Sequence, residues 1–170
     1  MDNILKGRVF LLGDNVDTDQ ILPGYAMSFS EDKLGRYALA GSELNNFAEK
    51  VQPGDFIVAG RNFGCGSSRE QAPLALKNAG IAAIVAVSYA MIFRRNAINI
   101  GLPVLCGDLV NNIKEGDLVE IAIPGGRVFV PAQDANYKLE PLSKSAWDTI
   151  QAGGLINKVK KILADRGASD

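Results

Sequence analysis

The chain has 170 residues, 47% of them hydrophobic and 22% charged, with a formal net charge of −1. That length and balance suit a globular domain with a real core, and a near-neutral charge offers no footprint for nucleic acid or an anionic membrane surface. There is no histidine, and the two cysteines, Cys65 and Cys106, stand far apart, which excludes within this chain a Ser-His-Asp triad, a Cys-His pair, the usual zinc sites and a self-ligated iron–sulfur cluster.

The chain opens on Met1-Asp2-Asn3-Ile4-Leu5-Lys6-Gly7, without the charged start, apolar stretch and cleavage site of a signal peptide. No apolar run nears the roughly 20 residues that span a bilayer, so a cytoplasmic protein is expected. Gly7 to Leu12 reads as a first strand, ended by the turn Gly13-Asp14-Asn15. Asp14, Asp17 and Asp19 then crowd a loop that runs to Pro23-Gly24. Its simplest reading is a solvated loop with Asx-turns. It lacks the glycine and closing glutamate of an EF-hand calcium site. Short helices are expected near 31–40 and 42–50, and a turn at Gln52-Pro53-Gly54-Asp55. Phe56–Ala59 is a short strand that feeds a Gly-rich segment, residues 60–72.

After that segment, Ala72, Ala75, Leu76 and Ala79 make the stripe of an amphipathic helix, and Gly80 ends it. Ile81–Val87 is continuously apolar, as a strand buried on both faces of a parallel sheet should be. Ser88 can cap a second helix with Tyr89, Ile92, Phe93, Asn96, Ala97 and Ile100 as its stripe, stopped by Gly101 and Pro103. Val104–Cys106 is a further strand. This βαβαβ run predicts a parallel sheet with right-handed crossovers. Leu118–Ile123 and Arg127–Val130 flank Pro124-Gly125-Gly126 and predict a β-hairpin in a second small sheet. The end is helical, started at Ser143 or Ser145 and broken at Gly153-Gly154. Leu155, Ile156, Val159, Ile162 and Leu163 form its apolar stripe, and residues 166–170 are expected to fray. No linker interrupts the chain, so residues 1–170 are expected to form one domain.

The segment Gly60-Arg61-Asn62-Phe63-Gly64-Cys65-Gly66-Ser67-Ser68-Arg69-Glu70-Gln71-Ala72 sits at a strand-to-helix turn. Ser67 and Glu70 match a capping box. Pro73 argues against it: a helix begun at Ser67 would set Pro73 against the carbonyl of Arg69. A helix starting near Ala72 puts Pro73 in its first turn and leaves Ser67, Ser68 and Arg69 free to face a ligand. Phosphate is one candidate ligand, but both the Gly-Lys-Ser/Thr signature and the three-glycine dinucleotide spacing are missing. Arg69 can clamp a carboxylate through two parallel hydrogen bonds. A serine beside it could act as a base if converging donors stabilise its alkoxide.

Gly64-Cys65-Gly66-Ser67-Ser68-Arg69-Glu70, together with Asp17-Thr18-Asp19-Gln20-Ile21-Leu22-Pro23, resembles the small subunits of 3-isopropylmalate dehydratase. These are the detached, swivelling C-terminal domain of the aconitase superfamily. The similarity runs from about Gly7 to Val104 and continues more weakly through Gly153-Gly154-Leu155. The resemblance implies an α/β fold of three layers, β/β/α. It also implies a large-subunit partner that carries a [4Fe–4S] cluster, in a heterodimer or heterotetramer, and a small dicarboxylic acid as substrate. By the same resemblance Ser67 is the base, Ser68 and Arg69 bind a substrate carboxylate, Asp19 is an active-site acid, and Cys65 has no cluster role.

Substrate choice in the resembling family is tied to the segment that here is Tyr25-Ala26-Met27-Ser28. Members acting on longer tricarboxylic acids tend to carry Tyr-Leu-Arg-Thr there. Met27 stands in the place of that arginine; an apolar, flexible side chain suits an alkyl substituent and cannot pair a third carboxylate. This favours isopropylmalate over homocitrate or homoaconitate. Ala26, smaller than the usual leucine, leaves methylmalate and dimethylmalate open, and Arg36 is a nearby cation that could reach back. Two further readings compete. One is a nucleotide- or phosphate-binding module with no catalysis. The other is a serine hydrolase with a Ser-Lys pair, for which Lys77 is the nearest downstream lysine.

Overall fold

The structure is a computed structural model that describes residues 3–169. Its strands are β1 (Asn3–Leu11), β2 (Phe56–Ala59), β3 (Ala83–Ala86), β4 (Val104–Cys106), β5 (Leu118–Ile123), β6 (Arg127–Val130) and β7 (Ala135–Lys138). They form one sheet in the order β4-β3-β2-β1-β5-β6-β7. β1 does two jobs. Its residues 3–8 pair antiparallel with β5, and its residues 9–11 pair parallel with β2. The hairpin expected in a separate small sheet is thus joined to the parallel strands through β1, and it gains β7, a short strand that no apolar run announced.

Side-chain alternation turns this curled sheet into layers. Phe56 and Val58 of β2 and Ala83 and Val85 of β3 share one core with Val119, Ile121 and Ile123 of β5 and Val128 and Val130 of β6. The antiparallel half therefore packs over one face of the parallel half. The alternate residues, Ile57, Ala59, Ile84 and Ala86, join a second core with helices α3 (Gln71–Ala79) and α4 (Met91–Asn99). The order β/β/α follows, as the resemblance implied. β2 and β3 are buried at every position because each of their faces belongs to a different core.

Several boundaries move. The first strand begins at Asn3, and the Ile81–Val87 run contributes only Ala83–Ala86 to the sheet. Ser88 caps no helix: α4 starts at Met91, and Ser88 Oγ instead accepts the Asn62 N–H at 2.9 Å. The region 18–50 is built of short pieces, α1 (Thr18–Ile21), 3-10 turns at Gly24–Ser28 and Glu31–Tyr37, and α2 (Phe47–Lys50). Ser143 caps α5 (Lys144–Gln151), its Oγ accepting the Ala146 N–H at 3.1 Å. The chain breaks at Gly153-Gly154, and α6 (Leu155–Ser169) follows. The helix continues through 166–169, where fraying was expected; residue 170 lies outside the described residues. The stripe on α6 is not core. Leu155, Ile156, Val159, Ile162 and Leu163 are all exposed.

Candidate active site

Pairing between the first two strands continues past their ends. Leu12 N–H donates to Val58 O, Gly60 N–H to Gly13 O, Asn15 N–H to Arg61 O, Gly64 N–H to Val16 O and Thr18 N–H to Cys65 O, all at 2.7–3.1 Å. On the other side Phe63 N–H donates to Ser88 O and Ala90 N–H to Phe63 O. The Gly-rich loop is therefore laced between the 12–18 and 88–90 segments. It stands at the carboxyl ends of the parallel strands, where open α/β sheets hold their ligands. Gly64 has φ +82°, and a Cβ on it would lie 2.2 Å from Phe93 Cγ. Only glycine lets this backbone lie against α4.

This lacing weakens the phosphate reading. The N–H groups of residues 60–64 are all consumed, two of them by the Asp14 carboxylate and Ser88 Oγ. They cannot cradle a phosphate. The capping box does not form either. α3 begins at Gln71, and its N-cap residue, Glu70, makes no side-chain capping bond. Pro73 sits in the first turn of α3, and Ser67, Ser68 and Arg69 remain in the loop.

These three residues, with Thr18, Gly64 and Gly66, line an open cleft of about 210 Å³ whose far wall is Met91, Ile92 and Asn96 of α4. Ser67 Oγ lies 3.1 Å from Thr18 Oγ1. Thr18 is 2% exposed, and Ser67 is its one side-chain partner among the described residues. Asp17 caps α1, its carboxylate accepting the Gln20 N–H at 2.8 Å. That cap sets the turn so that Thr18 points inward and Asp19 outward. Asp19 ion-pairs with Arg69 Nη1, which also donates to Leu22 O at 2.9 Å. One guanidinium nitrogen is thus held by the protein. Nε and Nη2 keep their N–H groups for a ligand. Lys77 Nζ donates to the Ile100 carbonyl and makes no pair with Ser67.

An Aconitase C-terminal domain family profile matches residues 31–106. The 3-isopropylmalate dehydratase small subunit of Halothermothrix orenii is 50% identical over 158 residues, 92% of this chain and 95% of its own. The chain belongs to the 3-isopropylmalate dehydratase small-subunit family. Names within the matches vary. The methanogen homoaconitase small subunit of Methanothermobacter thermautotrophicus is 47% identical over 170 residues, 99% of this chain and 98% of its own. A crystal structure titled 3-isopropylmalate dehydratase, from Methanocaldococcus jannaschii, superposes with a TM-score of 0.94 at 42% identity, covering 99% of this chain and 100% of that one.

The dehydratase family frames the remaining residues. Among the described residues no group of three or more His, Cys, Asp or Glu side chains could hold a metal ion. Cys65 is half-buried between Gly64 and Gly66, and Cys106 is on β4. The donor set does not fit a [4Fe–4S] cluster within this chain. No described helix is long and apolar enough to cross a membrane.

The Tyr25-Ala26-Met27 segment adjoins the cleft without lining it. It forms the 3-10 turn Gly24–Ser28, and a Cβ on Gly24 would lie 4.0 Å from Arg69 Nη2. Tyr25 is 65% exposed, its ring edge-on to Tyr37 at 6.0 Å. Ala26 is fully buried, and Met27 packs half-buried against the helix-side core. Arg36 is exposed and does not line the cleft. The site residue that sequence reasoning missed is Thr18. It was in view inside the Asp-Thr-Asp motif, but only the fold sets its hydroxyl against Ser67.

Proposed function

We propose that this chain is the small subunit of a cytoplasmic hydro-lyase that interconverts 2-isopropylmalate and 3-isopropylmalate, the isomerisation step of leucine biosynthesis. The observation that carries this reading is the meeting of Ser67, Thr18 and the Asp19-braced Arg69 in one cleft. In the dehydration half-reaction a proton leaves the carbon beside a carboxylate, and hydroxide leaves the neighbouring carbon. Ser67 takes that proton, and Arg69 and Ser68 hold the adjacent carboxylate. Asp19 keeps the guanidinium in place. In the second half-reaction water re-adds across the double bond with hydrogen and hydroxyl exchanged.

The departing hydroxide needs an electrophile that this chain does not supply. A large subunit bearing a [4Fe–4S] cluster is the partner that brings it. For the substrate's alkyl group, Met27 in place of an arginine favours isopropylmalate over homoaconitate. With Ala26 turned into the core and Met27 half-buried, Tyr25 is the member of this segment most able to meet a bound alkyl malate. Methylmalate, dimethylmalate and homoaconitate are therefore assayed alongside.

The test is reconstitution with the cluster-bearing large subunit of the same organism. Isopropylmalate isomerisation should appear in the mixture and in neither part alone. Ser67→Ala should lower kcat by about 10²–10⁴-fold with KM changed only a few-fold. Near-wild-type turnover in that variant would reduce Ser67 to a loop residue. Preferred turnover of another alkyl malate, or of homoaconitate, would correct the substrate.

A further inference from the structure

We propose that the exposed face of α6, with the basic groove at its foot, is the seat of the large subunit. The proposal rests on the preceding reading that such a subunit completes the cleft. Helix α6 is 15 residues long, about 22 Å, and its first turn is tied to the body. There, Lys158 Nζ donates to Thr149 Oγ1 at 3.2 Å, and Gly154 lies against the Asn99 and Ile100 backbone. Residues 159–167 are exposed on every side. Yet the helix is amphipathic: Leu155, Ile156, Val159, Ile162 and Leu163 share a face and are 43–72% exposed. Such spacing is what an amphipathic helix presents to an apolar groove on a partner.

Two observations say what covers it. The first is charge. The groove at the foot of α6, about 430 Å³, is lined by Arg94, Arg95 and Lys158 and by no acidic residue. None of these cations has a carboxylate within 4.0 Å among the described residues. Helix α6 itself carries Lys158, Lys160, Lys161 and Arg166 against Asp165. Two copies of this helix packed together would bring like charges together, whereas an apolar surface flanked by carboxylates would complement it. The second is continuity. Met91, 86% exposed, lines both this groove and the wall of the active-site cleft. Ile92, 44% exposed, lies on the cleft side. The bare apolar surface thus begins at the rim of the cleft and runs through the groove onto α6. A protein that closes the cleft reaches the helix without a gap.

The test is calorimetric titration of the full chain with the cluster-bearing large subunit at low and high salt. Ile156→Asp/Val159→Asp should weaken binding at least tenfold. Arg95→Glu/Arg166→Glu should weaken it and flatten its salt dependence, Arg166 being the cation of α6 that shares the apolar face. Both variants should keep the wild-type circular dichroism and Tm, since all four positions are exposed. Wild-type affinity in both variants overturns the proposal. So does a dimer of the isolated chain that Ile156→Asp/Val159→Asp breaks while large-subunit affinity is unchanged; the face then belongs to a second copy. Pelleting with anionic vesicles, lost in either variant while large-subunit affinity is unchanged, assigns the face to a membrane and overturns it too. If the wild-type complex forms but turns over no isopropylmalate, the substrate reading falls and the docking face stands. If the wild-type chain does not bind the large subunit, both fall.

Discussion

Thr18 and Ser67 are 49 positions apart in the chain, and their hydroxyl oxygens are 3.1 Å apart. The threonine is held from both sides: its N–H is bonded to Cys65 O, and its branched side chain is stiff at χ1. Either hydroxyl can donate while both are protonated; once Ser67 has lost its proton its Oγ can only accept, and Thr18 is then a fixed neutral donor aimed at the proposed base. A donor of this kind favours the deprotonated serine. Thr18→Val keeps the shape and removes the donor. It should lower kcat of the reconstituted complex about 10–100-fold, with KM nearly unchanged and the acid limb of the kcat–pH profile moved upward. Thr18→Ser should restore most of the rate. Unchanged kcat and profile in Thr18→Val would leave the threonine a packing role. The place of Ser67, Ser68 and Arg69 in the loop was legible beforehand because Pro73 is a local steric argument about where a helix can start. Thr18 was not, because its partner is chosen by the pairing of two loops that only the folded sheet brings together.

At the scale of elements, β1 explains both what was readable and what was not. The strands β2 and β4 and the parallel crossovers followed from apolar runs bounded by glycine and proline. The joining of the hairpin to the parallel strands did not, because it depends on one strand serving two sheet halves. Gly7 lies in the β5-paired half of β1, two residues before the strand turns to β2. A Cβ there would lie 2.1 Å from Gly54 O, in the Pro53-Gly54 turn that precedes β2. Glycine inside a strand often marks such a close approach of two backbones. Gly7→Ala must therefore push the 53–55 turn away, and that turn is anchored by Asp55, whose carboxylate accepts the Arg8 and Gln52 N–H groups. The expected cost is about 2 kcal/mol. It should be measured by denaturant unfolding of the isolated chain. Gly13→Ala, where a Cβ would meet nothing within 4 Å, is the matched control.

For the whole molecule, the question is which parts hold the fold and which serve something outside it. Among the described residues no buried hydrophobic side chain follows Leu142, and none that is polar follows Thr149 on α5. Both cores are complete before α6 begins. The apolar periodicity of α6 was plain in the sequence, but periodicity reports that a helix has two faces and not what covers one of them. Its stripe reads like a core stripe and is bare. A chain ending at Gly154 should therefore fold. It keeps the Gly153 backbone that packs against Gly101; what it loses is the Lys158 bonds to α5, the Leu155 wall of the groove and solvent-exposed turns. Its unfolding should stay cooperative, with stability within about 1 kcal/mol of the full chain and Tm within about 2–4 °C. Its affinity for the large subunit should nevertheless fall at least as far as in the Ile156→Asp/Val159→Asp variant. A truncated chain that loses its cooperative transition would place α6 in the fold after all. One that keeps both its stability and its affinity would leave the stripe on α6 without a physical reason for being apolar.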